Sequence, residues 1–231
     1  MTIRTNPLSR RGVIAGGTAL LGIGASAPAL ADAKRQALVN DSLRTAQKII
    51  EGKETPDARK NMAQARAVMI MPAFAQAAFI IGGAGGRAVM LARAGRSDWS
   101  YPAFYSLGSG SIGLQVGGRV QEIVLIILTD KGLNALMNDK FKFGAEAGLT
   151  FAREGAGVAG ATTSAVGADI VSFSTAAGLF AGGALEGSFI EPDNDWNALY
   201  YGQGASPRAI LLDRRYSNPG ANALRQYLGG I

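Results

Sequence analysis

Neither cysteine nor histidine occurs anywhere in the 231 residues. Without cysteine there is no disulfide framework, no thiol nucleophile and no lipidated N-terminal cysteine. Without histidine the commonest general base and the commonest transition-metal ligand are both missing, so serine–histidine and cysteine–histidine catalysis are excluded. Aromatic residues are scarce, at 7% with two tryptophans, which is poor material for the sugar-binding platform of a carboxylate-based hydrolase. Past the N-terminal segment, no run reaches the roughly 20 apolar residues of a membrane-spanning helix. The expectation is a protein that is not an enzyme and carries no metal or cofactor.

The N-terminal segment reads as a targeting signal. Arg4, Arg10 and Arg11 make a positive start, Val13 to Ala27 is weakly apolar, and Ala29-Leu30-Ala31 is the small-x-small pattern that precedes a signal-peptidase cut. Ser9-Arg10-Arg11-Gly12-Val13-Ile14 is similar to the bacterial twin-arginine export signal, and the low hydrophobicity conferred by Gly16, Gly17, Gly22 and Gly24 suits that route. Residues 1–31 are therefore expected to be a signal peptide and residues 32–231 one domain, periplasmic or secreted. The chain carries a net charge of +6. Once three arginines leave with the signal, 20 of the 23 basic residues face all 17 acidic ones, a net +3. No nucleic-acid partner is expected.

From Ala33 to Glu51, Val39, Leu43, Ala46 and Ile50 recur at helical spacing beside Leu38 and Ile49, while Lys34, Arg35, Arg44 and Lys48 fall off that stripe. The pattern predicts an amphipathic helix with a basic polar side, ended by Gly52. Thr55-Pro56-Asp57 predicts the capped start of a second helix, to about Ala65. Beyond Arg66 the chain turns to short apolar runs punctuated by glycine, of which there are 32 in all. Strands are expected at Ala67–Met71, Phe79–Ile81, Ala88–Ala92, Pro102–Leu107, Ile112–Val116, Glu122–Leu128, Phe143–Phe151, Asp169–Ser174, Leu179–Phe180 and Ala184–Ile190. One further helix, Asp130 to Asn138, is capped by Thr129 or Asp130. The predicted class is α+β, with N-terminal helices packed on a glycine-rich, mainly antiparallel twisted sheet system, sandwich or barrel-like.

Three motifs point to chemistry and stop short of it. Gly83-Ala84-Gly85-Gly86-Arg87-Ala88 fits a loose dinucleotide-binding turn, yet a strand follows it where a helix is required and no acid stands about 20 residues on, so it reads as a glycine-rich hairpin. Asp193-Asn194-Asp195 opens like a calcium loop but has Ala198 where glycine belongs and Gly204 where a bidentate glutamate belongs, which leaves an acidic solvated loop. Glu186, Glu191, Asp193 and Asp195 supply carboxylates for glycoside hydrolysis, a chemistry that depends on spatial separation rather than spacing in sequence.

A collinear series of motifs resembles the SYLF domain family. It comprises Ala67-Val68-Met69-Ile70-Met71-Pro72, the glycines 82, 83, 85 and 86 with Arg87-Ala88-Val89, and Trp99-Ser100-Tyr101-Pro102-Ala103. It continues through Ser111 to Gly117, Glu122 to Ile126, Gly144-Ala145, Gly178 to Gly182, Leu185 to Ser188 and Asn197 to Gly202, covering about residues 38–212. The resemblance implies a non-catalytic module that binds membrane lipid, phosphoinositides in eukaryotic members, some of which also bind actin filaments. It implies that the membrane-binding helix falls on Leu38 to Ile50. Gln76, Thr175-Ala176-Ala177 and Arg153 to Gly157 depart from the family's basic and Gly-Pro-x-Gly positions, which argues against selectivity for a multiply phosphorylated headgroup.

The expected partner is an anionic phospholipid or membrane surface, with Lys34, Arg35, Arg44, Lys48, Arg87 and Arg93 as candidate lipid-binding residues. A bland reading stands beside it, in which the apolar stripe packs on the sheet and the cations are merely solvated. Trp99, Tyr101, Tyr200 and Tyr201 likewise serve either a membrane interface or internal packing. A structural envelope protein that contacts other proteins and a carboxylate-based hydrolase are the alternative functions.

Replacing Arg10 and Arg11 together by lysine is expected to block translocation. Normal export of the double variant would refute the twin-arginine reading in favour of general secretion.

Overall fold

The computed structural model describes residues 27–79, 81–111, 117–137, 140–143, 151–155, 167–175, 185 and 187–231. The expected strands Ile112–Val116 and Leu179–Phe180, most of Phe143–Phe151, and the leader up to residue 26 lie outside them. Helix α1 (Ala27–Ile50) is built from good helix formers and has no glycine or internal proline after Pro28. It ends at Gly52, where a Cβ would stand 2.6 Å from the Lys48 carbonyl oxygen. Thr55 precedes helix α2 (Pro56–Gln64) at the capping position but makes no side-chain cap bond there. Its hydroxyl turns back and donates to the Ile49 carbonyl, so it closes α1 instead of opening α2.

Strands β1 (Ala67–Phe79), β2 (Ile81–Ala92), β3 (Ala103–Ser111) and β4 (Gly117–Ile127) precede helix α3 (Asp130–Met137). Strands β5 (Phe141–Lys142), β6 (Phe151–Gly155), β7 (Ile170–Ser174) and β8 (Phe189–Pro192) follow. Helices α4 (Asn194–Tyr201) and α5 (Pro207–Leu211), a 3₁₀ turn (Pro219–Ala221) and helix α6 (Asn222–Gly229) close the chain. The described strands form one sheet in the order β5-β8-β3-β2-β1-β4-β7-β6. All pairs are antiparallel except β6 with β7. The α+β class expected from the sequence is the class observed. Thr129 caps α3 as predicted, its hydroxyl accepting the Gly132 N–H at 3.1 Å.

The continuous apolar runs of the central strands follow from cover on both faces. Met69, Met71, Met90, Tyr105, Leu125 and Ile127 face one core with Leu133 and Leu136 of α3 and Ile210 and Leu211 of α5. Val68, Ile70, Val89, Leu91, Phe104, Val124 and Ile126 face the other, with Val39, Ala46 and Ile49 of α1, Met62 of α2, and Leu224 and Leu228 of α6. Helix α6 therefore seals the second core beside α1. Near it, the Arg225 Nε donates to the Trp99 carbonyl at 2.8 Å, and Gln36 of α1 donates to the Gly220 carbonyl at 2.8 Å.

A β-bulge in β1 organises the rest. Ile70 pairs with Val89 and Ala73 with Arg87, so Met71 and Pro72 stand against Ala88 alone. On the other side Met71 pairs with Ile123 and Phe74 with Gln121, so Pro72 and Ala73 stand against Glu122. One extra residue reverses the alternation of faces. Hence Phe74 joins Met69 and Met71 in one core, although strict alternation from 71 would turn it away. Pro72, which cannot donate to a ladder, sits where the ladder is already broken.

Past the bulge the glycines expected to form a hairpin at 83–88 lie inside β2, paired with β1 on one side and β3 on the other. Backbone ladders need no side chain, and this stretch of β2 passes close to β1. A Cβ on Gly86 would stand 2.4 Å from the Ala73 carbonyl oxygen, whereas one on Gly85 would meet its nearest atom, the Leu107 carbonyl oxygen, at 3.3 Å. The expected acidic loop at 193–197 is also regular structure: Asp193 accepts the Trp196 N–H at 3.1 Å and caps α4.

Gly86→Ala is expected to lower stability by about 1–3 kcal/mol, since the obstacle is backbone and cannot rotate away. Gly85→Ala should cost distinctly less. Urea unfolding followed by circular dichroism compares the two, and equal midpoints would contradict the close approach of β2 to the bulge.

Candidate functional site

Helix α1 is pinned by residues at spacings of four, three, four and three: Arg35, Val39, Ser42, Ala46 and Ile49 are all buried. Its N-terminal half is also held from the side, where the Tyr200 hydroxyl donates to Gln36 Oε1 at 3.1 Å. Toward its C-terminal end, Thr45 donates to Glu122 of β4 at 3.1 Å and Lys48 forms an ion pair with the same carboxylate. The edge of the helix away from Gln36, carrying Lys34, Ala37, Leu38 and Asp41 in line with Thr45 and Lys48, overlooks the bulge and the glycine-rich part of the sheet. Between them runs an open groove of about 590 Å³. Pro72, Ala73, Gly86 and Leu107 contribute to its lining, with Ser106, Arg87 and Trp196.

Asp193 sets the Trp196 rim. One carboxylate oxygen caps α4 at the Trp196 N–H, and the other accepts from Arg87 Nε at 3.2 Å. The Arg87 guanidinium lies over the indole at 4.2 Å from the ring centroid, and Phe104 meets the same ring edge-on at 5.8 Å. Asn197, fully buried, accepts the Phe104 N–H at 2.8 Å and donates to the Phe104 carbonyl at 3.2 Å, which ties α4 to β3. Of the carboxylates considered for hydrolysis, Asp193 caps and pairs, Asp195 stands exposed in the first turn of α4, and Glu191 lies half-buried in β8. Glu186 lies outside the described residues.

The six candidate cations separate into three groups. Lys34 and Arg87 meet at the groove. Arg44 and Lys48 are 71% and 61% exposed on the same side of α1, ion-paired with Asp41 and Glu122. Arg35 and Arg93 correct the expectation. Arg35 is 2% exposed, lies within the buried stripe of α1, pairs with Asp32 at 2.7 Å, and leaves its Nε without a partner. Arg93 donates to the Met62 and Ala63 carbonyls at 2.9 Å each, stacks over Trp99 at 4.6 Å, and has its pKa lowered by burial. It completes the C-terminal end of α2 and so serves the fold. Trp99 and Tyr101 likewise pack internally: Trp99 is buried, and the Tyr101 hydroxyl donates to Asn222 at 2.9 Å. The role of Trp196 went unread in the sequence, although Asp193 three residues earlier is a capping signal. A proline within an apolar strand run is the signal for the bulge.

Among the described residues, no helix is long and apolar enough to cross a membrane. A family model described as "Ysc84: Las17-binding protein actin regulator" matches residues 108–231. Protein YSC84 of Saccharomyces cerevisiae is 27% identical over 157 residues, which is 66% of this chain and 33% of that protein. LAS seventeen-binding protein 3 of Saccharomyces cerevisiae is 26% identical over 156 residues, 66% of this chain and 34% of the relative. The SH3 domain-containing YSC84-like protein 1 of Mus musculus is 25% identical over 138 residues, 59% and 41% of the two chains. The chain thus spans between a third and two fifths of the length of these relatives. All six candidate cations precede residue 108, where the family match begins.

Alkaline pH should loosen α4 from α1. Burial first, then the charges of Asp32 and Tyr101, pushes the Tyr200 pKa up to about 12, and burial also raises those of Tyr201, Tyr105 and Tyr227. The folded protein keeps these phenols neutral where the unfolded chain ionises, from about pH 10 upward. Stability should therefore be flat below pH 10 and fall between pH 10 and 12. Chemical denaturation across that range, compared with Tyr200→Phe, tests it: the variant should lose less.

Proposed function

The chain belongs to the Ysc84 (SYLF) family, and from that premise we propose that it is a non-catalytic module that docks on anionic phospholipid surfaces after export. The observation that carries the reading is the exposed strip of α1 formed by Lys34, Arg44 and Lys48. Positions 34, 41 and 48 lie seven apart and so share one face, with 44 one turn beyond 41. The carboxylates of Asp41 and Glu122 that pair with Arg44 and Lys48 do not oppose docking strongly. Exposed ion pairs are worth about 0–1 kcal/mol, so a lipid phosphate can replace either partner. Lys34 carries no ion pair among the described residues and is available outright.

Export rests on the leader. Cleavage after Ala31 removes the first turn of α1 and leaves Asp32 at the helix start, where a carboxylate is favourable to the helix dipole and already pairs with Arg35. The non-catalytic reading rests on the lack of cysteine and histidine and on the structural engagement of Asp193. A second reading, a protein-binding scaffold, draws on the description of the family and the name of one relative, which refer to binding Las17 or "LAS seventeen".

Vesicle co-sedimentation tests the lipid reading. Changing Lys34, Arg44 and Lys48 together to glutamine removes at most about 3 kcal/mol of attraction at about 1 kcal/mol per cation. The loss should be smaller because two of the three are paired and salt screens all of them. Weaker sedimentation with anionic vesicles, mimicked in part by added salt, is expected, with circular dichroism unchanged. Binding that ignores both the triple variant and the salt, or that is equal for neutral vesicles, would remove the strip from the lipid contact and favour the scaffold reading.

A further inference from the structure

Strand β1 has three described strands on one side of it and four on the other. A residue so central to a sheet is ordinarily covered on both faces, yet Ala73 is exposed and Pro72 only half-buried. The cause is geometric. The bulge pushes the chain out of register with both neighbours, while α1, pinned along its buried stripe, crosses the sheet and leaves this stretch uncovered. The groove that results has the sheet for a floor and α1 for a wall, so a bilayer cannot lie in it. Its volume of about 590 Å³ falls within the roughly 300–1,000 Å³ of sites that hold one small molecule.

The lining is divided. Leu38, Pro72 and Ala73 offer an apolar track, over a floor to which Leu107, its side chain buried in the other core, adds only backbone. At the groove stand Lys34, exposed, and Arg87, half-exposed over Trp196. Among the described lining residues the one carboxylate, Asp41, is paired with Arg44, and Asp193 answers Arg87. Among the described residues of the groove, the charge left uncompensated is the ammonium of Lys34. An apolar track beside an unpaired cation matches a molecule with one chain and one negative head.

We propose that the groove binds a monomeric single-chain anionic amphiphile, its head against Lys34 and Arg87 and its chain along Leu38, Pro72 and Ala73. The proposal rests on the lipid reading above but makes a separate claim, that one molecule enters the fold while the cationic strip meets the membrane. Gly86 is part of the same site, because a side chain there would collide with the Ala73 carbonyl and disturb the floor.

Tryptophan emission reads the site directly. Trp196 lines the groove, whereas Trp99 is 1% exposed in the second core and gives a constant background. Titration with sodium decanoate, monomeric at the concentrations used, is expected to shift the emission saturably, with one molecule bound per chain by calorimetry. Lys34→Glu should weaken decanoate by about tenfold, equivalent to about 1.4 kcal/mol, and leave the neutral chain decanol unchanged. Ala73→Phe should abolish binding of both while keeping anionic vesicle co-sedimentation, and Arg44→Gln with Lys48→Gln should weaken vesicle co-sedimentation while keeping decanoate binding. Absence of a saturable shift, or wild-type titration of decanoate by Lys34→Glu, overturns the proposal even if Ala73→Phe does not fold. Vesicle binding without decanoate binding would leave the membrane reading standing and this one refuted. Decanoate binding without vesicle binding would support the groove and refute the strip.

Discussion

The bulge at Met71 to Ala73 is the constraint from which the functional half of the molecule follows. Before it, β1 alternates between two buried cores and could be exchanged for any fully covered strand. After it, the alternation is reversed and Phe74 continues the core of Met69 and Met71. The neighbouring β2 must approach without a side chain at Gly86. One inserted residue thus divides each central strand into an apolar half that stabilises the domain and a small-residue half that leaves room over the sheet. The groove, the position of Arg87 and the freedom of Ala73 all lie downstream of that division.

What was legible in the sequence is what depends on period and punctuation. The helix over α1, its end at Gly52, the Thr129 cap and the buried strand runs were visible because each is a local pattern. Arg35 shows where such reading misleads: its spacing to Val39, Ser42, Ala46 and Ile49 places it in the buried stripe, but its charge argues for the solvent face, and the geometry wins. Thr55 has the right neighbours for an N-cap, yet its hydroxyl had two carbonyls within reach behind it and took those. Arg93 was unreadable because its partners are carbonyls about 30 residues earlier that only the fold brings near. The glycines at 83–86 do belong to a hairpin, but to its second arm and not to a turn between the strands expected at Phe79–Ile81 and Ala88–Ala92. Their turn propensity is local, while the two ladders that hold them extended are made with strands on both sides.

Most of the cations serve the fold and the surface at once. Lys48 bridges α1 to β4 through Glu122, and Arg87 bridges β2 to α4 through Asp193. Such exposed pairs add little to stability, so their effect lies in placement: they hold positive groups at defined points on one side of the helix. Arg35 is buried, and Arg93, though partly exposed, is taken up by the Met62 and Ala63 carbonyls and the Trp99 ring. Counting basic residues therefore overstates the charge available for binding, and the distribution of their carboxylate partners decides which of them remain available.

The pairing of α1 with the last helix has a temporal side. Gln36 bonds to the Gly220 carbonyl across 184 positions of sequence, and Leu224 and Leu228 close the same core as Val39 and Ala46. At about 5–20 residues per second, a ribosome needs roughly ten to forty seconds to travel that distance. Throughout that interval α1 has been made and the part of its cover supplied by α6 has not, although the strands that pack on it are complete by Ile127. Contacts of such long span are slow to form even in a finished chain. The nascent protein therefore presents an amphipathic helix near its beginning whose cover stays incomplete until the last residues emerge, a window in which a chaperone can hold the helix that the finished domain buries.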